Sequence, residues 1–226
     1  ARCLKKKELK PHKSSYWLNP KIKDWPTFVV QVALVCQLIL EAIKREKPNK
    51  HLISVDEKTG IQALERIAED QPMQKGKVRK LEYEYERHGT SCLMAAQHIA
   101  NGKVMHYNLQ ATRNEQDFLA FIQGIVAKLP QEDESVILAD QLNTHMSASL
   151  VEWIAGQTAF QGALGKKGQK GILKNKESRK AFLQNSGHRI RFVYTPKHCS
   201  WLNPIENWFG KLQRNVIKNG NFASVQ

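Results

Sequence analysis

The segment Ser135-Val-Ile-Leu-Ala-Asp140 is apolar at four consecutive positions, shows no alternation, and ends on a carboxylate. A strand of that pattern has to be covered on both faces, so it belongs inside a sheet with helices above and below. His51-Leu-Ile-Ser-Val-Asp56 reads as another strand, apolar at 52, 53 and 55, with Asp56 where the strand is about to end. Thr90–Ala96 and Lys103–Leu109 read as two more, joined through Asn101-Gly102, a strong hairpin signal. Arg189 to Tyr194 is the fifth, and Pro196 ends it. A helix is expected from Thr112, with Phe118, Leu119, Ile122, Ile125 and Val126 on one face, stopping at Pro130. Shorter helices are expected at 146–155 and 176–184. The first three strands can form an antiparallel meander, whereas the later ones must cross over through helices. The chain is therefore α/β, with a mixed five-stranded sheet flanked by helices. If strands one and four are neighbours, Asp56 and Asp140 meet at one sheet edge.

A third carboxylate lies in Tyr194-Thr-Pro-Lys-His-Cys-Ser-Trp-Leu-Asn-Pro-Ile-Glu-Asn-Trp-Phe209. Asn203-Pro204 predicts a helix start, with Asn as N-cap and Pro in the first helical position. Ile205, Trp208, Phe209 and Leu212 form an apolar stripe at helical spacing, and Glu206 falls in the first turn. Negative charge there is favoured by the helix dipole and the free N–H groups.

The formal net charge is +14 and the pI about 9.7, which predicts a polyanionic partner, nucleic acid before an anionic membrane surface. Cys3, Cys36, Cys92 and Cys199 are scattered, with no CxxC pair or zinc-finger spacing, and read as reduced cytosolic thiols. No signal peptide is visible. The apolar run from Phe28 to Ile43 is read as too short for a membrane span and contains Gln31, Gln37 and Glu41. It is read instead as a helix from Asp24 to about Arg45, buried on more than one side.

Residues 1–24 are basic and irregular, a composition suited to phosphate contacts. Residues 61–80 alternate poorly and are expected to be loop with short helical turns. Glu82, Glu84 and Glu86 recur every second residue and are expected to form a polar strand face opposite Lys and Arg. Segment 156–187 is crowded with Lys166, Lys167, Lys170, Lys174, Lys176, Arg179 and Lys180, and predicts a basic excursion that clamps DNA. The expected division is a basic arm and linker helix at 1–48, then a catalytic domain at 49–226 carrying that insertion.

Asp56, Asp140 and Glu206, with no His or Cys cluster beside them, suit hard cations with oxygen ligands, Mg²⁺ or Mn²⁺. Two such ions roughly 3.5–4 Å apart can clamp the attacking and leaving oxygens of a phosphodiester. Glu57 neighbours Asp56, so on a strand it points to the other face and reads as a supporting residue. His145, five residues after Asp140, is expected either in packing or against the scissile phosphate of DNA.

Four motifs in order resemble a DDE transposase of the mariner superfamily, in its bacterial insertion-sequence branch. They are Ser54-Val-Asp-Glu-Lys-Thr-Gly-Ile-Gln-Ala-Leu-Glu-Arg66, Tyr85-Glu-Arg-His-Gly-Thr90, Leu138-Ala-Asp-Gln-Leu-Asn-Thr-His145 and Ser200-Trp-Leu-Asn-Pro-Ile-Glu206. The resemblance covers residues 8–220. It implies a ribonuclease-H-like core with Asp56, Asp140 and Glu206 as the catalytic, metal-binding triad. It also implies cut-and-paste transposition with two Mg²⁺ ions, commonly into TA dinucleotides, by a homodimer on DNA in the bacterial cytoplasm, away from membranes. Gln141 stands where the family usually has Asn, and 65 residues lie between Asp140 and Glu206, nearly double the usual spacing. Ala1 to Pro11 resembles only the last helix of the family's N-terminal helix-turn-helix region, and the chain opens without Met, as a fragment or processed product would. A DNA-binding remnant without catalysis and a stand-alone nuclease of the same fold remain open beside the transposase reading.

Overall fold

The computed structural model describes residues 22, 24–44 and 47–225. The basic arm expected at the N-terminus falls almost wholly outside them. The elements run α1 (Trp25–Lys44), β1 (Lys50–Arg66), β2 (Tyr85–His98), β3 (Val104–Gln110), α2 (Glu115–Val126), β4 (Glu134–Ala139), α3 (Ala148–Gln157), α4 (Lys176–Leu183), β5 (Ile190–Tyr194) and α5 (Ile205–Asn215).

The sheet order is β3-β2-β1-β4-β5. β1 to β3 form the expected meander, and β4 lies parallel to both β1 and β5. The continuous apolar run of β4 is accounted for: Val136, Ile137, Leu138 and Ala139 are all fully buried. Ile53, Val55, Ile137 and Phe192 face one layer, where α2, α3 and α4 contribute Phe118, Phe121, Ile122, Ile125, Leu150, Ile154 and Leu183. Fully burying such a side chain contributes about 1.5–3 kcal/mol. On the other face Leu52, Val136 and Leu138 pack on Val35 of α1, and Leu93 and Ala95 pack on Ile205 and Phe209 of α5.

Several expectations are corrected. β1 does not end near Asp56 but continues to Arg66, paired with β2 from Asp56↔Ala95 to Arg66↔Tyr85 across two register shifts. Residues 67–84 carry no regular strand, as expected of a loop, but they double back on themselves as a ribbon through the isolated bridges Gln71↔Lys80 and Gln74↔Lys77. The ribbon leaves the core, so backbone pairing rather than an apolar face holds it, and no alternation marks it. At its base Asp70 accepts from the Glu82 amide and from the Arg79 and Arg66 guanidinium groups. Those contacts, the amide foremost, hold its carboxyl at about 2.

The acidic run at 82–86 does not form one face against Lys and Arg. Glu82 accepts the amides of Tyr83 and Glu84, and Glu86 sits opposite Glu65. Helix α1 is buried on one side only: Val35 is buried, whereas Trp25, Val30, Leu34, Leu40 and Ile43 are more than half exposed. At 20 residues and a mean hydropathy of 1.8 it is also long and apolar enough to cross a membrane, contrary to the sequence expectation. The segment 156–187 is more than an excursion. Leu164, Ile172, Leu173, Phe182 and Leu183 pack into the main core, while Lys166, Lys167, Lys170 and Lys174 stay exposed.

Candidate active site

The parallel register of β1 and β4 pairs Ser54 with Leu138 and so sets Asp56 beside Asp140 at the ends of those two pairings. α5 packs across β1 and β2 with Glu206 exposed in its first turn. Asp140 and Glu206 both lie near enough to Asp56 to act on its ionisation. Asp56 therefore lies within electrostatic reach of both other carboxylates expected from sequence.

Asn203 is what fixes that arrangement, and it does not cap α5 as its position suggested. Pro204 occupies the N-cap, without a side-chain bond. The buried Asn203 amide instead donates to the Val55 carbonyl at 2.8 Å and to Asp56 Oδ2 at 3.3 Å, and its Oδ1 accepts from the Ser54 hydroxyl. Ser54 Oγ in turn accepts the Ile205 amide at 3.0 Å, so β1 supplies the cap. One serine and one asparagine, both fully buried, thus tie the start of α5 to the strand that carries Asp56.

Asp140 is held from the other side. Its Oδ1 accepts from His145 Nδ1 at 2.8 Å and from the Leu142 amide at 3.1 Å. Of the two alternatives for His145, the structure has packing rather than contact with a phosphate. Its ring is fully buried, stacked on Phe118 with centroids 4.1 Å apart, and its Nε2 faces Glu57 Oε1 at 3.3 Å. Gln141 also turns away, donating to the Thr195 carbonyl and accepting from Lys180. Lys176 of the basic segment donates to the Gln141 carbonyl at 2.8 Å and to Asn143 Oδ1 at 3.0 Å.

These surroundings push the two aspartates in opposite directions. Burial, reinforced by Asp140 and Glu206, raises Asp56 to about 7 against the pull of the Glu57 amide. Burial would also raise Asp140, but the bond and charge of His145, the Leu142 amide and Lys176 lower it overall. For His145 itself burial works against the charged form, and the Asp140 and Glu57 carboxylates overcome this and lift it to about 9.

The donor set fits a hard divalent cation. It consists of oxygens only, and crowding that raises one carboxylate's pKa is what a cation would relieve. The set is open: among the described residues the group whose ligand atoms lie within 4.8 Å of one another is Glu65, Glu86 and His88 on the ribbon. There the His88–Glu65 contact at 2.7 Å already accounts for the proximity.

Because Asp56 must lose its proton to ligate, Mn²⁺ affinity is expected to fall about tenfold per pH unit below roughly 7 and to level off above it. Calorimetric titration between pH 5.5 and 8 checks this, and a flat profile would remove Asp56 from the ligand set. On stability the sign reverses. In metal-free protein the contribution of Asp56 is full below its unfolded value of 3.8 and is lost as pH rises through about 7.

Residues 51–226 match the family model of the DDE superfamily endonucleases. Among solved structures the chain is similar to one in the crystal structure of a pre-cleavage Mos1 transpososome, with 13% identity and a TM-score of 0.52, covering 99% of this chain and 58% of that one. A Mos1 strand transfer complex aligns at 14% identity and a TM-score of 0.43, over 95% of this chain and 61% of that one. The N-terminal ribonuclease H domain of Rv2228c from Mycobacterium tuberculosis aligns at 14% identity and a TM-score of 0.25, over 74% of this chain and 99% of that one. At such identities the likeness to the transpososome protein concerns the fold alone. The chain spans 58% of the length of the transpososome protein it matches. No curated protein matches it.

Proposed function

The chain belongs to the DDE superfamily endonucleases, and from that premise we propose that it is the catalytic part of a DNA transposase, cleaving transposon ends and joining them to target DNA. The observation that supports the reading is that the β1–β4 register sets Asp56 beside Asp140, with Glu206 within electrostatic reach of Asp56, on a strongly basic chain. Divalent cations, Mg²⁺ or Mn²⁺ and two in number, would supply Lewis acidity toward the phosphodiester. The side chains do the rest. Asp140 presents its Oδ2, since Oδ1 is occupied by His145 and Leu142. Asp56 is oriented by Asn203, and Glu206 closes the set from the helix. The reading extends to a homodimer on transposon-end DNA, insertion at TA dinucleotides, and a bacterial cytoplasmic, nucleoid-associated location. It also takes residues 1–48 as the remnant of a DNA-recognition region. The deciding experiment is a strand-cleavage and strand-joining assay on pre-cut ends with Mg²⁺ or Mn²⁺. Joining supports transposition, hydrolysis alone makes the chain a nuclease, and binding without either leaves a non-catalytic DNA-binding protein.

Lys166, Lys167, Lys170 and Lys174 are proposed to grip the flanking duplex. Lys166 and Lys170 pair across a tight turn, and Lys167 lies 3.5 Å from Glu115. Each phosphate neutralised contributes about 0.9 to the slope of log affinity against log salt. Replacing Lys166, Lys167 and Lys170 by Ala is expected to flatten that slope by up to about two to three units, equally on all sequences. An unchanged slope in a folded triple mutant would return the segment to a purely structural role.

A further inference from the structure

We infer that Glu57 is a positioning residue: through the His145 ring it sets which oxygen of Asp140 faces the reaction centre. The inference rests on the reading of the carboxylate trio as a divalent-cation site. The Glu57 side chain is 3% exposed, although glutamate is rarely buried without a partner. Its Oε1 meets His145 Nε2 at 3.3 Å, and the ring's other nitrogen meets Asp140 Oδ1 at 2.8 Å. Arg113, half exposed, approaches Glu57 Oε2 at 3.7 Å. The ring has little freedom to turn. Phe118 stacks on its face, and Tyr194 donates to the His145 carbonyl at 2.8 Å. Asp140 Oδ1, with the Leu142 amide as second donor, is fully engaged, whereas among the described residues no group bonds Oδ2. The line Glu57–His145–Asp140 therefore reaches from the buried helix side of the sheet to its acidic edge. Its end product is one carboxylate oxygen aimed outward. Carboxylates that ligate metals are themselves oriented by such partners, and losing the partner costs about 10–100-fold in metal affinity or activity.

The test is Mn²⁺ binding to the full chain without DNA, measured by calorimetry for wild type, Glu57→Leu and Glu57→Gln. Glu57→Leu, which cannot bond the ring, is expected to weaken Mn²⁺ about 10–100-fold, and Glu57→Gln, which can, to stay within about threefold of wild type. In wild-type protein, hydrogen-bonded ring N–H protons of one histidine should appear in ¹⁵N-edited spectra and vanish in His145→Gln, a readout that needs no Glu57 variant to fold. Glu57→Leu binding like wild type overturns the assignment, as does absence of those ring protons. Glu57→Gln binding as weakly as Glu57→Leu also overturns it, because Glu57 would then ligate directly. Wild type that binds no Mn²⁺ fails differently: it overturns the cation-site reading and this inference with it.

Discussion

Asp140→Ala protein is expected to lose strand cleavage by about 10³-fold or more, equivalent to roughly 4 kcal/mol of transition-state stabilisation, while binding DNA at least as tightly as wild type. The two outcomes separate because the carboxylate plays opposite parts in them. It is one of three groups proposed to hold the cation, and on that reading it is also a negative charge facing a polyanion. Its removal deprives the buried His145 ring of its closest partner, so the alanine variant carries a stability cost as well. Asp140→Asn keeps an oxygen to accept from His145 Nδ1 and the Leu142 amide, and should abolish cleavage with the fold intact. Gel-shift titration alongside the cleavage assay reads both quantities. Parallel loss of affinity in the Asn variant would mean that Asp140 builds the DNA surface rather than the reaction centre.

The second large effect is expected at Asn203. Asn203→Ala removes the acceptor of the buried Ser54 hydroxyl and a donor to Asp56, and leaves a small void where nothing is exposed. Each buried polar group left unpaired costs about 1–3 kcal/mol, so a loss of about 2–4 kcal/mol follows. For a chain of this size that is a fall in melting temperature of about 5–15 °C by calorimetry. Cleavage should fall with it even where the protein is still folded, because Asp56 loses the amide that orients it. A melting point within about 2 °C of wild type would show that water replaces the amide and that the tie between β1 and α5 is dispensable.

Much of this was legible because burial leaves a periodic trace. The unbroken apolar run of β4, the alternation of β3 and the stripe of α5 each report a neighbour, and five strands along the chain, the first three as a meander, followed from them. The ribbon beyond Asp56 left no such trace: apart from Glu57, Ile61 and Ala63 few of its residues are covered, and backbone bonds hold the rest. The basic segment misled in part. Its lysines are conspicuous, whereas the few apolar residues that dock it, Leu173, Phe182 and Leu183, are spread too widely for periodicity to show. At the site, residue type, the strand ends expected after Val55 and Ala139 and the first turn of α5 pointed to Asp56, Asp140 and Glu206, although β1 runs on past Asp56. Asn203 was visible but misassigned, because Asn before Pro at a helix start has a local explanation. Its actual partners, at positions 54 to 56, are set by the fold. Likewise His145 and Glu57, 88 residues apart, meet only once β1 and β4 pair.

The tie between β1 and α5 also governs when the protein can act. Ser54 and Ile205 lie 151 residues apart. At roughly 5–20 residues per second, a ribosome takes about 8–30 s to make the second after the first. Through that interval the growing chain holds Asp56 without its orienting amide and, until residue 206 is made, only two of the three carboxylates. An aborted product released earlier could complete most of the sheet and still have no assembled centre. For the DNA-cutting activity proposed above, translation order itself would withhold the assembled centre from unfinished copies.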